Sequence, residues 1–378
     1  MTHSANPQRV PAIDYLRGLA MLGVIGIHTG AYSLSNPHVN LGLFAALEIV
    51  TRFCVPIFFF ISAFGLFLNH SLTAEFSYWR FMTRRIQTVL WPYLTWSLIY
   101  MLHYTWYYND QSLWATDKLL NCLFFGFASY QLYFLVILLW FYALFPLWRK
   151  LTLRMLNNPL PPLCIILVLQ IAFNYYSSYL LKFHFASAFL NQWVDNRMSF
   201  LCLHYVFIFL LGAICAVRYQ DFIQLLQRWK TTVLIGFLLT LSGMLSAYYY
   251  YIGIRGVGPE YAVNVVHQLS PIGVLYTLAA TLFVFDRLRA PDLPAGLRRL
   301  FGALGQHSYV IFLIHPLVMH YLTVWLGKAN LLMTFTITVA FFLATVTLSL
   351  LAAQLLQKIL APLPLLHRLL TGSSPTRK

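Results

Sequence analysis

Residues 14–33 read DYLRGLAMLGVIGIHTGAYS, a mostly apolar run that nevertheless contains the ionisable residues Asp14, Arg17 and His28. A helix of about 20 apolar residues is long enough to cross the ~30 Å hydrocarbon core of a bilayer. Ionisable side chains are expensive in hydrocarbon, and where they occur they are a functional-site hypothesis by default. The run therefore predicts a membrane-spanning helix whose polar residues serve a function.

The composition of the whole chain extends this prediction beyond the first helix. Of the 378 residues, 60% are hydrophobic and 9% are charged, whereas about a quarter of the residues of an ordinary soluble domain are charged. A soluble fold could not hide so much apolar surface from water, and a disordered chain would be more polar. The five cysteines are too few for a disulfide-stapled secreted domain of this size. We therefore predict an integral membrane protein.

Similar apolar runs recur along the sequence. We identify ten, at about 14–33, 42–68, 87–107, 131–148, 160–180, 199–217, 232–252, 270–286, 308–326 and 331–360. A weaker segment at 119–127 is expected to be interfacial or re-entrant, and no run shows the period-two alternation of a barrel. The predicted fold is all-α, a polytopic membrane helical bundle of about ten transmembrane helices. Its membrane domain covers 14–362, between short cytoplasmic tails at 1–13 and 363–378.

The net charge of +15 is explained by orientation. Most of the 25 Lys and Arg residues fall in connections that share one side of the membrane. The other side holds Lys118, Lys182, Arg197, Arg255 and Lys328. By the positive-inside rule, the basic side and both termini are cytoplasmic, and the excess charge also attracts anionic lipid. There is no soluble domain to carry a nucleic-acid-binding surface, so nucleic acid is not an expected partner.

Arg17 and His28 are predicted to lie on one face of the first helix. Eleven residues at about 100° each come within about 20° of three full turns, with a rise of about 16 Å. Asp14 can pair with Arg17 three residues later. A neutral imidazole at that depth can take a proton from a hydroxyl, as a general base does. Alternatively, Arg17 snorkels to the headgroups and His28 is a hydrogen-bonded packing residue.

Four further polar residues lie within predicted spans. Glu48 and Arg52 are four residues apart and can neutralise each other. Ser62 can bind a ligand or bond its own backbone. His315 precedes Pro316, which removes a helical donor and opens a local kink, so that His315 either satisfies the kink or contacts a substrate. Each position therefore has a structural and a functional interpretation.

The predicted inner loop at residues 78–85, YWRFMTRR, places Arg80, Arg84 and Arg85 beside aromatic residues. Guanidinium groups next to aromatic rings suit a ligand with phosphates and a flat ring, although a lipid-headgroup anchor has the same composition. The sequence has no HExxH, Walker, GxGxxG or GxSxG motif. Its histidines also lack metal-ligand spacing. We therefore expect no metal and no permanently bound cofactor.

Taken in order, these motifs resemble the acyltransferase family 3 membrane proteins, the bacterial O-acyltransferases of cell-surface polysaccharides. The matching stretches are Ile13–Ala20 followed by His28, Val55-Pro56 to Ser62, Trp91-Pro92-Tyr93, Leu132–Leu135, Phe145-Pro146, and Ser308-Tyr309 to His315-Pro316. The chain departs from the family in two places. It has Ser62-Ala63-Phe64 where the family often has Ser-Gly-Phe, and its loop arginines do not reproduce the family's Arg-x-x-Arg spacing.

The resemblance implies an enzyme of the bacterial plasma (inner) membrane. It implies transfer of an acyl group, most often acetyl, from acyl-CoA to a hydroxyl of a cell-surface polysaccharide or its precursor. Asp14, Arg17 and His28 would be catalytic, and Arg17 would join the loop arginines in holding the donor's phosphates. The residues expected at the substrate are Glu48, Arg52, Ser62 and His315. Expected partners are acyl-CoA, a glycan or lipid-linked sugar, membrane lipid and polysaccharide biosynthesis proteins.

The rival hypothesis is a transporter or flippase for a polysaccharide or lipid-linked sugar, without acyl-transfer chemistry. About ten spans with buried polar residues also describe such proteins. A membrane scaffold within a polysaccharide synthase is a third hypothesis.

Overall fold

The computed structural model describes residues 10–374. Within that range the chain is 79% helical and has no strands, which confirms the predicted all-α membrane bundle. Its α-helices are α1 Pro11–Ser33, α2 Leu41–Glu48, α3 Cys54–Asn69, α4 Tyr78–Arg85, α5 Trp91–Tyr108, α6 Thr116–Phe125, α7 Tyr133–Ala143, α8 Phe145–Met155, α9 Leu160–Tyr175, α10 Ala188–Asp195, α11 Arg197–Phe200, α12 Val206–Val217, α13 Tyr219–Arg228, α14 Lys230–Gly253, α15 Pro259–Val265, α16 Pro271–Arg289, α17 Ala295–Lys328, α18 Phe335–Leu360 and α19 Pro364–Thr371. Short π-helical segments at Ile86–Leu90 and Tyr176–Leu180 continue α4 and α9.

Among the described residues, five helices are long and apolar enough to cross a membrane, namely α9 with its π-helical extension, α14, α16, α17 and α18. Two bent pairs, α7–α8 at 65° and α12–α13 at 103°, raise the number to seven if each pair is one span. Each predicted apolar run coincides with a helix or helix pair, but ten complete spans stay a prediction. Helix α6, with 10 residues, is too short to cross.

The run expected as one span at 42–68 is interrupted. Turns at 49–53 separate α2 from α3. The prediction that Arg52 lies inside a continuous helix is therefore wrong, because Arg52 lies in this break. Pro56 supplies the physical reason. It has no N–H to donate to the Arg52 carbonyl one turn earlier, so a regular helix cannot run back through this position. Such irregular backbone is tolerated at membrane depth where protein surrounds it.

Helices α1 and α17 cross at very close range. A Cβ at Gly18 would meet the backbone carbonyl of Phe301, and one at Gly305 would meet the backbone of α1. Small residues at a crossing let helix backbones approach in a membrane, where packing drives association. Helix α17 runs through Pro316 without interruption. The two helices consequently bring His28 beside His315.

The segments predicted as tails lie partly outside the described residues, since 1–9 and 375–378 are not among them. The described part of the C-terminal segment is not a loose extension. Residues 364–371 form α19, and the Trp96 indole N–H donates to the Leu370 carbonyl at 2.9 Å. This contact fixes α19 against α5.

Candidate functional site

A cavity of about 730 Å³ lies among α1, α3, α4, α7 and α17. Its polar lining consists of Arg17, Ser62, Asn69, His70, Arg84, Arg85, Tyr142, Ser308 and Tyr309. Its aromatic lining adds Phe58, Phe134 and Phe312. The volume is in the usual range of small-molecule sites, and the three arginines make it strongly cationic.

Arg85 is held in the cavity wall by two aromatic rings. Its guanidinium carbon lies 5.1 Å from the centre of the Phe81 ring and 5.2 Å from that of Tyr142. Cation–π contacts of this kind hold the side chain in place. Its Nε is buried and has no hydrogen-bond partner in the described part of the chain. Ser62 belongs to the same wall, because its hydroxyl lies 3.2 Å from that of Tyr142.

The predicted basic cluster is divided by the structure. Arg84 and Arg85 line the cavity, whereas Arg80 is exposed and outside its lining. Arg17 also lines the cavity, and its guanidinium pairs with the Asp14 carboxylate at 3.3 Å. Asp14 therefore acts on the cavity through Arg17.

His70 caps the end of α3 and lines the cavity, two residues past the end of the apolar run predicted at 42–68. Burial lowers the pKa of His70, and the positive charges of Arg85, Arg149 and Arg84 lower it further. Each of these effects disfavours the charged imidazole. His70 is therefore a neutral hydrogen-bonding group at physiological pH.

His28 and His315 form a second polar cluster. Their ring centres lie 5.4 Å apart with an interplanar angle of 24°. The Tyr130 ring centre lies 4.4 Å from that of His28. The Nδ1 atom of His315 is 3.0 Å from the Ile311 carbonyl oxygen, so Nδ1 carries the proton and Nε2 is an acceptor. That Nε2 is buried and has no partner within residues 10–374.

The Glu48–Arg52 pair stands next to this cluster. A guanidinium N–H of Arg52 donates to the Glu48 carboxylate at 2.6 Å, and Glu48 is 3% exposed. Glu48 lies against α1, because a Cβ at Gly30, two residues after His28, would meet the Glu48 side chain. A backbone carbonyl in the break next to this pair is hydrogen-bonded by another helix. The Tyr276 hydroxyl of α16 donates to the Val50 carbonyl at 2.6 Å. The pairing expected from the sequence is therefore present.

The predicted site residues thus fall into two groups. Arg17, Ser62, Arg84 and Arg85 line the cavity, while His28, Glu48, Arg52 and His315 do not. Arg17 and His28 share one helix but lie about 16 Å apart along it.

Three phenylalanines stand between the two groups. The Phe134 ring centre lies 5.8 Å from that of Phe58 and 5.6 Å from that of Phe312. Phe312 in turn lies 6.2 Å from His315. We call Phe58, Phe134 and Phe312 the phenylalanine layer.

The sequence interpretation missed the connection between α6 and α7. Tyr130 comes from this connection, and the adjacent Ser129 and Gln131 have buried side-chain polar atoms without hydrogen-bond partners among the described residues. The same is true of the hydroxyl of Thr29, next to His28. Buried polar atoms are normally paired, so this group is expected to bind water or a ligand. The available signal was the polar triplet 129–131 between two apolar runs.

No group of three or more His, Cys, Asp or Glu within residues 10–374 could hold a metal ion. The family model Acyl_transf_3, described as an acyltransferase domain, matches residues 10–354. No curated protein and no solved structure matches the chain.

Proposed function

The chain belongs to acyltransferase family 3 and is a multi-pass membrane acyltransferase, and from this premise we propose its substrates. The enzyme transfers an acyl group, acetyl above all, from acyl-CoA to a hydroxyl of a cell-surface polysaccharide or its precursor, in the bacterial inner membrane. One observation carries the proposal. Helices α1 and α17 connect an arginine-lined cavity to a pair of imidazoles with an unpartnered acceptor nitrogen.

The cavity suits the donor. Arg17, Arg84 and Arg85 supply the forked N–H donors that bind phosphate oxygens. The aromatic and aliphatic side chains that complete the lining suit the less polar arm that ends in the thioester. Arg80, outside the lining, contributes long-range attraction only. The cavity lies near the start of α1, through Arg17, and near the end of α19, because a Cβ at Gly372 would meet Tyr309 of the lining. We propose that this side faces the cytoplasm.

The imidazole pair suits the chemical step. The acceptor hydroxyl oxygen attacks the thioester carbonyl carbon, the new C–O bond forms, and the C–S bond breaks. His28 takes the hydroxyl proton as general base and returns it to the departing CoA thiolate. His315, through its Nε2, accepts a hydrogen bond from the acceptor. Arg52 supplies positive charge for the carbonyl oxygen as negative charge develops there, and Glu48 holds Arg52 in place.

The acceptor is proposed to be a sugar because of the groups around His28. Thr29, Ser129 and Gln131 offer hydroxyl and amide groups that have no partner among the described residues, and Tyr130 adds an aromatic face. A polyhydroxylated ligand satisfies such groups, and aromatic rings contact the apolar faces of sugars. The surrounding apolar helices limit water near the thioester.

The test is acyl transfer by the purified protein in lipid, with radiolabelled acetyl-CoA and a candidate glycan. We expect His28→Ala to reduce label transfer by about 10²–10⁴-fold, the usual contribution of a general base. His204→Ala is the matched control, because His204 is a buried histidine that bonds the Ser177 hydroxyl at 2.9 Å, away from this site. Equal transfer by parent and His28→Ala would remove His28 from the mechanism. Glycan movement without acylation would contradict the proposed reaction.

A further inference from the structure

We propose that Phe134 and Phe312 determine which acyl groups the enzyme transfers, by closing the inner end of the donor cavity against long chains. This inference rests on the proposed function, because it assigns an acyl subsite to the same cavity. It adds two specificity-determining residues that take no part in the chemistry.

The first step is the depth of the two rings. Tyr142 lies beside Arg85, whose guanidinium carbon is 5.2 Å from its ring centre. Ser308 bonds the carbonyl of Gly305, which packs against the Asp14 backbone one turn from Arg17. Phe134 lies two helical turns further along α7, and Phe312 one turn further along α17. With a rise of 1.5 Å per residue, these rings are about 12 Å and 6 Å deeper. The polar lining therefore gives way to the phenylalanine layer along the direction from Arg17 to His28.

The second step is that packed neighbours hold the two rings in place at this end of the cavity. Phe134 has Phe58 on one side at 5.8 Å and Phe59 on another at 4.7 Å between ring centres. Its ring also meets Phe312 at 5.6 Å. Phe59 has no exposed surface, so Phe134 cannot withdraw without moving packed neighbours. A packed interior of this kind resists added volume.

The third step is where the acyl group must lie. The thioester carbonyl has to come within reach of His28, and the route from the cavity passes the two rings, because Phe312 lines the cavity and its ring centre lies 6.2 Å from that of His315. The acyl chain is thus carried to Phe134 and Phe312, and every added methylene competes with their rings for space. One methylene in an apolar pocket changes selectivity by about 10-fold or more. A short acyl group fits beside the rings, whereas a long one requires that a ring be removed.

The experiment measures acyl-chain selectivity. Phe312→Ala and Phe134→Ala are assayed with acetyl-, butyryl- and hexanoyl-CoA, each by kcat/KM in lipid. We expect the hexanoyl-to-acetyl ratio of kcat/KM to rise at least about 10-fold in both variants. Phe222→Ala is the matched control. Phe222 is a phenylalanine of α13 with 6% exposure that packs on Phe285 at 5.0 Å and does not line the cavity.

An unchanged ratio in both variants, with acetyl transfer retained, overturns the inference. An equal rise in Phe222→Ala also overturns it, since general loosening would then be the cause. If Phe312→Ala fails to fold, Phe312→Leu removes less volume, and there the butyryl-to-acetyl ratio should rise. Failure of the parent enzyme to transfer any acyl group would contradict the proposed function itself, which separates that failure from this one.

Discussion

At the residue scale, Arg85 of the arginine-lined cavity is held by well-defined surroundings. Two aromatic rings hold its guanidinium in place while its Nε stays unpartnered in the described chain. The side chain is therefore oriented before a ligand arrives. Orienting an ionic group in advance lowers the entropic cost of binding.

We expect Arg85→Gln to weaken donor binding. Loss of a hydrogen bond to a charged group costs about 1.5–3 kcal/mol, which is about 10- to 150-fold in affinity. The measurement is the Kd for acetyl-CoA in detergent or nanodiscs. Arg80→Gln is the control and should change the Kd less than about 3-fold, because an exposed charge is screened by solvent. Equal losses in the two variants would contradict the role of Arg85.

We expect His315 and His28 to act as one unit in catalysis. The imidazoles stack at 5.4 Å, and residues that act together show non-additive losses of rate. His315→Ala should lower kcat while leaving the donor Kd nearly unchanged. The double variant with His28→Ala should then be little slower than His28→Ala alone. Full multiplication of the two rate losses would show that they act independently.

The lowered pKa of His70 predicts that the stability of the fold decreases at acidic pH. Its folded-state pKa is lowered from the ordinary 6.5 by burial and by the charges of Arg85, Arg149 and Arg84. The unfolded chain thus binds a proton more readily, so this contribution to stability is present above about pH 6.5 and is lost as the pH falls below it. We expect His70→Gln to lose less thermal stability than the parent between about pH 7.5 and 5.5. The measurement is the Tm in detergent at both values, and identical Tm losses would contradict the prediction.

At the element scale, hydropathy located the helices but not their interruptions. In the run at 42–68, Glu48 and Arg52 are surrounded by apolar residues. Hydropathy averaged over a window therefore stays high across the break at 49–53 and does not reveal it. Pro56 was visible in the sequence, but a proline in the first turn of a helix and one inside a kinked helix look alike. The bend between α7 and α8 was hidden in the same way, before Phe145-Pro146.

Part of the candidate site could also be predicted from the sequence. The 3.6-residue period placed Arg17 and His28 on one helix face, which needs no tertiary information. It could not reveal that His315 stacks on His28, because the two are 287 positions apart and the contact depends on the crossing of α1 and α17. Nor could periodicity reach Tyr130, which lies in an irregular connection.

That crossing yields a prediction at the same scale. Gly18→Ala places a methyl group against the Phe301 backbone, which cannot move aside as a flexible side chain would. We expect a loss of about 1–3 kcal/mol of stability, typical of overpacking, together with lower acyl transfer. Gly236→Ala on α14 is the control, since a Cβ there meets nothing within 4 Å. It should be neutral or slightly stabilising by helix propensity, as measured by thermal unfolding in detergent.

At the scale of the whole molecule, the proposed orientation in the membrane leads to one testable prediction. Ser71, which follows α3 near the cavity, and Asp117, in the first turn of α6, should lie on opposite sides of the membrane. The exposed Cys164 is first removed. In intact cells we then expect Ser71→Cys to react only with a membrane-permeant maleimide. Asp117→Cys should also react with an impermeant one. Labelling of both by the impermeant reagent would contradict the cytoplasmic assignment of the cavity.

The phenylalanine layer has a consequence for the cell's energy supply. An energised membrane stores about 2.3 kcal/mol per elementary charge for each 100 mV. A continuous aqueous path from the arginine-lined cavity to the imidazoles would let protons leak across and dissipate this membrane potential. The apolar rings of the phenylalanine layer lie between the two polar regions, so the acyl transfer that we propose would not require such a path.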